Sequence, residues 1–415
     1  MSDELEVWID DATFGAQPRR VGALARARAR GSESIRFRYA TEWLQARSVA
    51  FALDTELALT VGDFFPRAGA KLHGVFRDSA PDRWGRVLME RREADEARRE
   101  GRQPRRLGEW EFLAGVNDVA RMGALRLRDP ESSRWLDHRA PGVLPFARLR
   151  ELEAAARAVD EEGASTRPEY SDWLRLLVAP GSIGGARPKA SFLDGDGSLW
   201  LAKFPANDDR RDMGAWEFLA HELARRAGLQ VPQSRLERFA SKHRTFCVRR
   251  FDRVGVSRRM YASAMTLLQR NDGDAASYLE IAEALQLQGD AEHIDSDLAQ
   301  LYRRIAFSIL VANRDDHLRN HGFLRGATGW RLSPAFDINP SPDRLEHALA
   351  IDETSARPSL ETLRSTARFY RLSDAQAANI ESDVRAAVGT WRAMADSLAF
   401  SAADRDLLAS VLEPG

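Results

Sequence analysis

The sequence predicts an α+β protein built from a small α+β subdomain, a mixed lobe and a mostly helical lobe. Three observations carry this. Residues 1–105 contain short runs that alternate polar and apolar positions, with one charged helical stretch. From about residue 172 the pattern reads helix, Gly-rich turn, strand, strand, helix, strand, strand. Beyond about residue 258 apolar residues recur mostly at helical spacing. At 415 residues the chain is also too long for one simple core. The expected division is 1–105, 106–257 and 258–415.

In the first part, Leu5, Val7 and Ile9 share one face of a half-buried strand, and 35–39 alternates more cleanly. Residues 86–99 are dense in helix formers and in both signs of charge, which predicts a solvated helix. Residues 101–106 punctuate the chain with Gly and Pro. A second segment opens at Trp110. It contains a strand over 122–128 and a helix over 146–159, with Leu149, Leu152 and Ala156 on one side.

In the mixed lobe a turn over 181–189 combines Gly181, Gly184 and Gly185 with Lys189. It has neither Walker A nor Gly-x-Gly-x-x-Gly spacing, but adjacent glycines let backbone N–H groups approach a phosphate. Strands follow over 190–193 and 199–204. Lys203 shares a face with Leu199 and Leu201, so its charge needs a partner or a ligand. The helix over 213–227 offers Glu217 as that partner. Another strand is predicted over 246–251.

The densest polar motif lies in the helical lobe. An apolar helix ending near Ala312 runs into Asn313, Arg314, Asp315, Asp316, His317, Leu318, Arg319, Asn320 and His321. Asp315 and Asn320 stand five apart, and Asp337 follows seventeen residues later, after a short hairpin. That spacing is a phosphoryl-transfer signature. The first Asp orients a hydroxyl, and the Asn and second Asp hold metal ions on nucleotide phosphates. The spacing favours Asp315 over Asp316 as the catalytic group. A mixed lobe followed by a helical lobe is the protein-kinase architecture. His317 and His321 lack the metalloprotease Glu and are expected to brace the loop. Arg319 reads equally as a phosphate or substrate contact and as a surface ion pair.

Composition agrees with a soluble globular protein. Apolar residues make up 44% and charged residues 30%, and the net charge is -1, so no global basic field points to nucleic acid. The single cysteine, Cys247, rules out an internal disulfide and suggests a reducing compartment. The acidic start has no signal-peptide pattern, and no uncharged run approaches 18 apolar residues. A cytoplasmic protein without membrane contact is expected.

These motifs, in this order, resemble the HipA family of bacterial serine/threonine kinases, the toxins of type II toxin–antitoxin modules. The resembling pieces include Phe37 to Tyr39, Phe76 to Arg86, Gly115 to Arg126, Ser182 to Lys189, Ala202 to Pro205, Val248 to Arg253 and Ala312 to Phe323. The resemblance implies a kinase that uses ATP and magnesium. Asp315 would be catalytic, Asn320 and Asp337 the metal ligands, and Lys203 a phosphate contact. Arg250 and Phe251 would meet the adenine, largely through backbone groups, although Arg249 stands where the best-known member is acidic. Ser182 would be the autophosphorylated serine of the glycine-rich loop. The implied partner is a small helix-turn-helix antitoxin that makes most of the DNA contact. The implied substrate is a protein, glutamyl-tRNA synthetase being the best-known family target. A small-molecule kinase of the aminoglycoside-phosphotransferase kind, or a kinase-shaped binding module, remains the alternative.

Overall fold

The structure, a computed structural model, describes residues 2–29, 32–137, 142–161, 163–177, 185 and 187–413. It divides into two compact units. One comprises residues 1–208, 239–241 and 252–262, and the other 209–238, 242–251 and 263–415.

The first unit is built on an antiparallel sheet of β1 (Glu4–Ile9), β2 (Arg19–Ala29), β3 (Ser32–Tyr39) and β4 (Leu125–Arg128), in the order β3-β2-β1-β4. Leu5, Val7 and Ile9 are buried as their alternation predicts, with Leu24, Ile35, Phe37, Leu125 and Leu127. Gly22 is required in β2. A Cβ there would lie 2.2 Å from the Arg38 carbonyl oxygen and 2.6 Å from the Phe37 ring.

Helix α1 (Arg83–Arg99) is capped by Asp82, whose Oδ1 accepts from Gly85 N at 2.9 Å. The charged run within it is not simply solvated. Trp84, Leu88, Met89 and Ala97 are buried, and Glu93 is enclosed by Arg102 and Arg105. The hydrogen bond from Arg105, with that from Arg102, holds the Glu93 carboxyl at about 2. Helix α2 (Leu149–Asp160) buries Leu149, Leu152 and Ala156. Strands β5 (Lys189–Leu193) and β6 (Leu199–Lys203) pair antiparallel.

Residues 252–262 join this unit through charged side chains. Asp252 Oδ2 accepts from Gly123 N at 2.7 Å, Asp11 Oδ2 accepts from Met260 N at 2.7 Å, and Arg258 Nη2 donates to the Asp118 carbonyl at 2.7 Å.

In the second unit, α3 (Met213–Arg226) buries Trp216, Leu219 and Leu223. Strands β7 (Ser234–Glu237) and β8 (Thr245–Arg249) pair antiparallel, with Cys247 buried in β8. The helical part contains α4 (Tyr278–Gln288), α5 (Ile294–Leu310) and α6 (Asp374–Val388). Tyr302 OH donates to Glu381 Oε1 at 2.7 Å, tying α5 to α6. The hairpin of β9 (Gly322–Arg325) and β10 (Trp330–Leu332) lies where the spacing between Asn320 and Asp337 predicts it. Among the described residues no helix is long and apolar enough to cross a membrane.

Candidate phosphoryl-transfer site

Helix α5 delivers the polar loop. Its apolar side buries Leu298, Leu301, Ile305 and Phe307, which fixes where the helix ends. The chain then reverses through Ala312, held at φ +52°, a conformation that costs a non-glycine residue on the order of 1 kcal/mol. Asn313 stabilises the reversal. Its N–H donates to the Ser308 carbonyl at 2.9 Å, its Nδ2 donates to Ser308 Oγ at 3.2 Å, and its Oδ1 accepts from Asn339 N at 3.2 Å. One side chain thus ties the end of α5 to the segment that carries Asp337.

The adjacent aspartates have opposite environments. The Asp315 side chain is 53% exposed, and its Oδ1 lies 3.0 Å from Arg344 Nη2. Its carbonyl accepts from His317 N at 3.1 Å and from Asn320 Nδ2 at 3.2 Å. The residue five places on therefore holds the backbone of the aspartate while the carboxylate stays accessible.

Asp316 is buried. Its Oδ2 accepts from Tyr278 OH at 2.8 Å and Ser308 Oγ at 3.2 Å, and its Oδ1 is 3.0 Å from His321 Nε2. Burial pushes this carboxyl up. His321, the Tyr278 hydroxyl and His347 outweigh burial and hold it at about 2. Tyr278 is driven well above its ordinary value by burial and by the Asp316 charge. Burial lowers His347. Arg304, also buried nearby, is brought down to about 10 by desolvation, against the pull of Asp316 and Asp297. Asp316 is thus an anchor beneath the loop.

Asp337 follows the hairpin at φ +56° and is half-buried, and its Oδ1 accepts from Asn339 Nδ2 at 3.3 Å. Its neighbours Phe336 and Ile338 line a small recess together with Asn320, Asp316 and Arg304. In that recess Asn320 Oδ1 is buried with no hydrogen-bond partner among the described residues. A buried amide oxygen without a donor is unusual and is suited to a cation. Asn320 and Asp337 both offer oxygen, the donor a hard divalent ion takes. Among the described residues no group of three or more His, Cys, Asp or Glu converges. An ion held here would therefore keep water or phosphate in its remaining positions, as Mg²⁺ ordinarily does.

The other sequence-predicted residues fall in both units. Lys203 is buried at the end of β6 in the first unit, and Glu217 is buried in α3 of the second. Arg250 and Phe251 lie just past β8, which ends at Arg249 and not at 251 as the apolar pattern predicts. Arg250 is buried, and the Phe251 ring packs against Phe336 with centroids 5.1 Å apart. Gly185 takes φ +74°, and its carbonyl accepts from Lys189 Nζ at 2.9 Å. Ser182 and Gly184 lie outside the described residues. Arg319 forms a two-point ion pair with Asp272, at 2.8 and 2.7 Å.

Sequence reasoning missed Asn313, Arg344 and the anchoring part of Asp316. For Asn313 and Asp316 the available signal was the run of polar residues directly after an apolar helix. Arg344 gave none.

Residues 5–126 match the model of the HipA N-terminal domain, and residues 181–395 match that of the HipA-like C-terminal domain. A putative kinase, Y4dM, of Sinorhizobium fredii is 24% identical over 217 residues, which are 43% of this chain and 52% of that protein. A putative kinase of Haemophilus influenzae is 25% identical over 191 residues, 39% of this chain and 54% of that protein. The chain thus spans about half the length of the curated relatives it matches. HipA of the Shewanella oneidensis MR-1 toxin–antitoxin system, solved with HipB and operator DNA, superposes with a TM-score of 0.64 at 16% identity, covering 98% of this chain and 95% of that one. That likeness extends over nearly the whole chain and shows a kinase-like, two-lobed fold.

Proposed function

The chain belongs to the HipA family, and from that premise we propose that it transfers the γ-phosphoryl group of ATP to a serine or threonine hydroxyl of a protein. The observation that carries this reading is the Asn320 amide. It holds the Asp315 backbone with its nitrogen and leaves its buried oxygen without a partner among the described residues, beside the Asp337 segment. One residue thereby couples a hydroxyl-orienting carboxylate to a cation position.

Bound Mg²⁺ would neutralise charge on the phosphates, and Asn320 and Asp337 would hold it. Asp315 accepts the proton of the attacking hydroxyl as the new O–P bond forms. The bond from the γ-phosphorus to the bridging oxygen breaks, and ADP leaves. Lys203 stabilises charge on the phosphates. Arg344 must release Asp315 when a substrate hydroxyl arrives. Such an exposed pair is worth at most about 1 kcal/mol, so the release is cheap. The direct test is ATP turnover with a generic protein acceptor, followed by phosphoproteomics of cells expressing wild type and Asp315→Ala.

Asp337→Asn replaces an anionic ligand with a neutral one. Calorimetry should show weakened magnesium-dependent nucleotide binding with little change in metal-free binding. Equal Mg-ATP affinity in both proteins would remove Asp337 from the metal site.

Two further expectations follow from family membership. Self-phosphorylation at Ser182 would add about 1.5 to 2 negative charges beside ATP phosphates and lower nucleotide affinity. Peptide mass spectrometry after incubation with ATP locates the phosphate, and a phosphate found only elsewhere defeats this regulation. The second concerns partners. A small helix-turn-helix protein is expected to confer operator binding, because a net charge of -1 gives this chain little general affinity for DNA. Tight, sequence-specific mobility shifts by the chain alone would contradict it.

A further inference from the structure

Lys189 is the most deeply buried cation near the glycine-rich segment. Its side chain is 1% exposed, and that of Asp82, its counter-ion, is 6% exposed. Lys189 Nζ donates to Asp82 Oδ2 at 2.7 Å and to the Gly185 carbonyl at 2.9 Å. The Lys189 carbonyl in turn accepts from Trp84 Nε1 at 3.0 Å. Asp82 and Trp84 are separated from Lys189 by more than a hundred residues. They belong to the opening of α1, and Asp82 also caps that helix with its other oxygen.

The register of the β5–β6 pair explains why a counter-ion is needed. Lys189 and Lys203 are partners across the antiparallel strands, so both side chains leave the same face. Like charges directly opposite repel, and here both are buried. Asp82 neutralises Lys189 in place. Lys189 is thus committed to backbone and carboxylate, while its ammonium fixes Gly185 at the exit of the glycine-rich segment. Gly185 is itself held at φ +74°, where few other residues would settle.

We propose that Asp82 and Trp84 are positioning residues for the phosphate-binding segment. They fix Lys189, and through it Gly185, so that the N-terminal region is a working part of the nucleotide site. The nucleotide half of this inference rests on the function proposed above; the anchoring half does not.

The test uses the full chain. Asp82→Asn keeps an oxygen for the helix cap but sets an amide N–H₂ against the Lys189 ammonium. Without nucleotide, amide hydrogen exchange at Gly185 and over residues 187–189 should quicken by about tenfold, with α2 and the β1–β4 sheet unchanged. With Mg-ATP, the nucleotide KM should rise by about tenfold while kcat falls less than about threefold. The neutral pair Asp82→Asn with Lys189→Gln allows an amide–amide hydrogen bond and should restore folding if the single change unfolds the chain. It should also recover part of the KM. Trp84→Phe, which deletes only the indole donor and some volume, should show the same exchange change in weaker form. Wild-type exchange and KM in Asp82→Asn would reduce the pair to an ordinary buried ion pair and overturn the proposal. A wild type that binds no Mg-ATP would overturn the kinase reading, and the nucleotide-free exchange would still decide the anchor.

Discussion

Asp315→Ala should abolish phosphoryl transfer and leave the fold intact. Loss of a group that accepts or orients the hydroxyl proton typically costs about 10² to 10⁴ in rate. The fold should tolerate the change because the carboxylate is half exposed and, among the described residues, pairs with Arg344 across the surface. Urea unfolding should shift by less than about 1 kcal/mol while turnover falls by orders of magnitude. Near-normal turnover in a folded Asp315→Ala protein, with Asp316→Asn inactive but folded, would move the catalytic assignment to the neighbouring aspartate.

Asp316→Ala should do the opposite and unfold the helical part before it touches chemistry. Removal of this carboxylate strands the Tyr278 hydroxyl and the Ser308 hydroxyl. It also takes a counter-charge from Arg304, whose Nε and Nη1 already lack partners among the described residues. Breaking a buried charge network from one side costs about 3–5 kcal/mol. Asp316→Asn retains an acceptor for Tyr278 and should cost less. Equilibrium unfolding of both variants measures the difference, and wild-type stability in Asp316→Ala would show that the network contributes nothing net.

The same carboxylate gives a pH prediction. Its folded-state pKa of about 2 lies below the ordinary aspartate value, so its stabilisation is complete above that ordinary value. The contribution, roughly 2 kcal/mol, is lost as pH falls toward the folded-state value. Unfolding free energies between pH 6 and about 2.5 should fall more steeply for wild type than for Asp316→Asn. His321, His347, Tyr278 and Arg304 face the group and stay in both proteins, so the difference between the two curves isolates the aspartate. Parallel curves would count against the depressed value.

Much of the fold was legible because its signals are local. Alternation placed β1 and β3, and helical periodicity placed α2, α3 and α5 to within a few residues. The central strand β2 escaped. Its sequence is rich in Ala and Arg, which favour helix, and it is extended because β1 and β3 pair with it on both sides. The run over 86–99 read as a solvated helix for a similar reason. Charge density hides the few positions that pack, and only the enclosing Arg102 and Arg105 bury Glu93.

The candidate site divides along the same line. Asp315 and Asn320 belong to one loop, so a spacing of five residues is enough to single them out, while the bond from the Asn320 amide to the Asp315 carbonyl is a finding of the structure. The sequence by itself therefore determined which residues are candidates for the proposed chemistry. It did not determine which buried partners hold the paired charges. Asp315 and Asp316 are chemically identical and adjacent, and Lys189 opens one apolar strand while Lys203 closes the next. Only the tertiary structure buries Asp316 under Tyr278 and His321, and only it brings Asp82 across the chain to Lys189. The reason is that a carboxylate's availability depends on desolvation and on partners. Tyr278 sits 38 residues from Asp316 and Asp82 sits 107 from Lys189, where no local pattern can announce them.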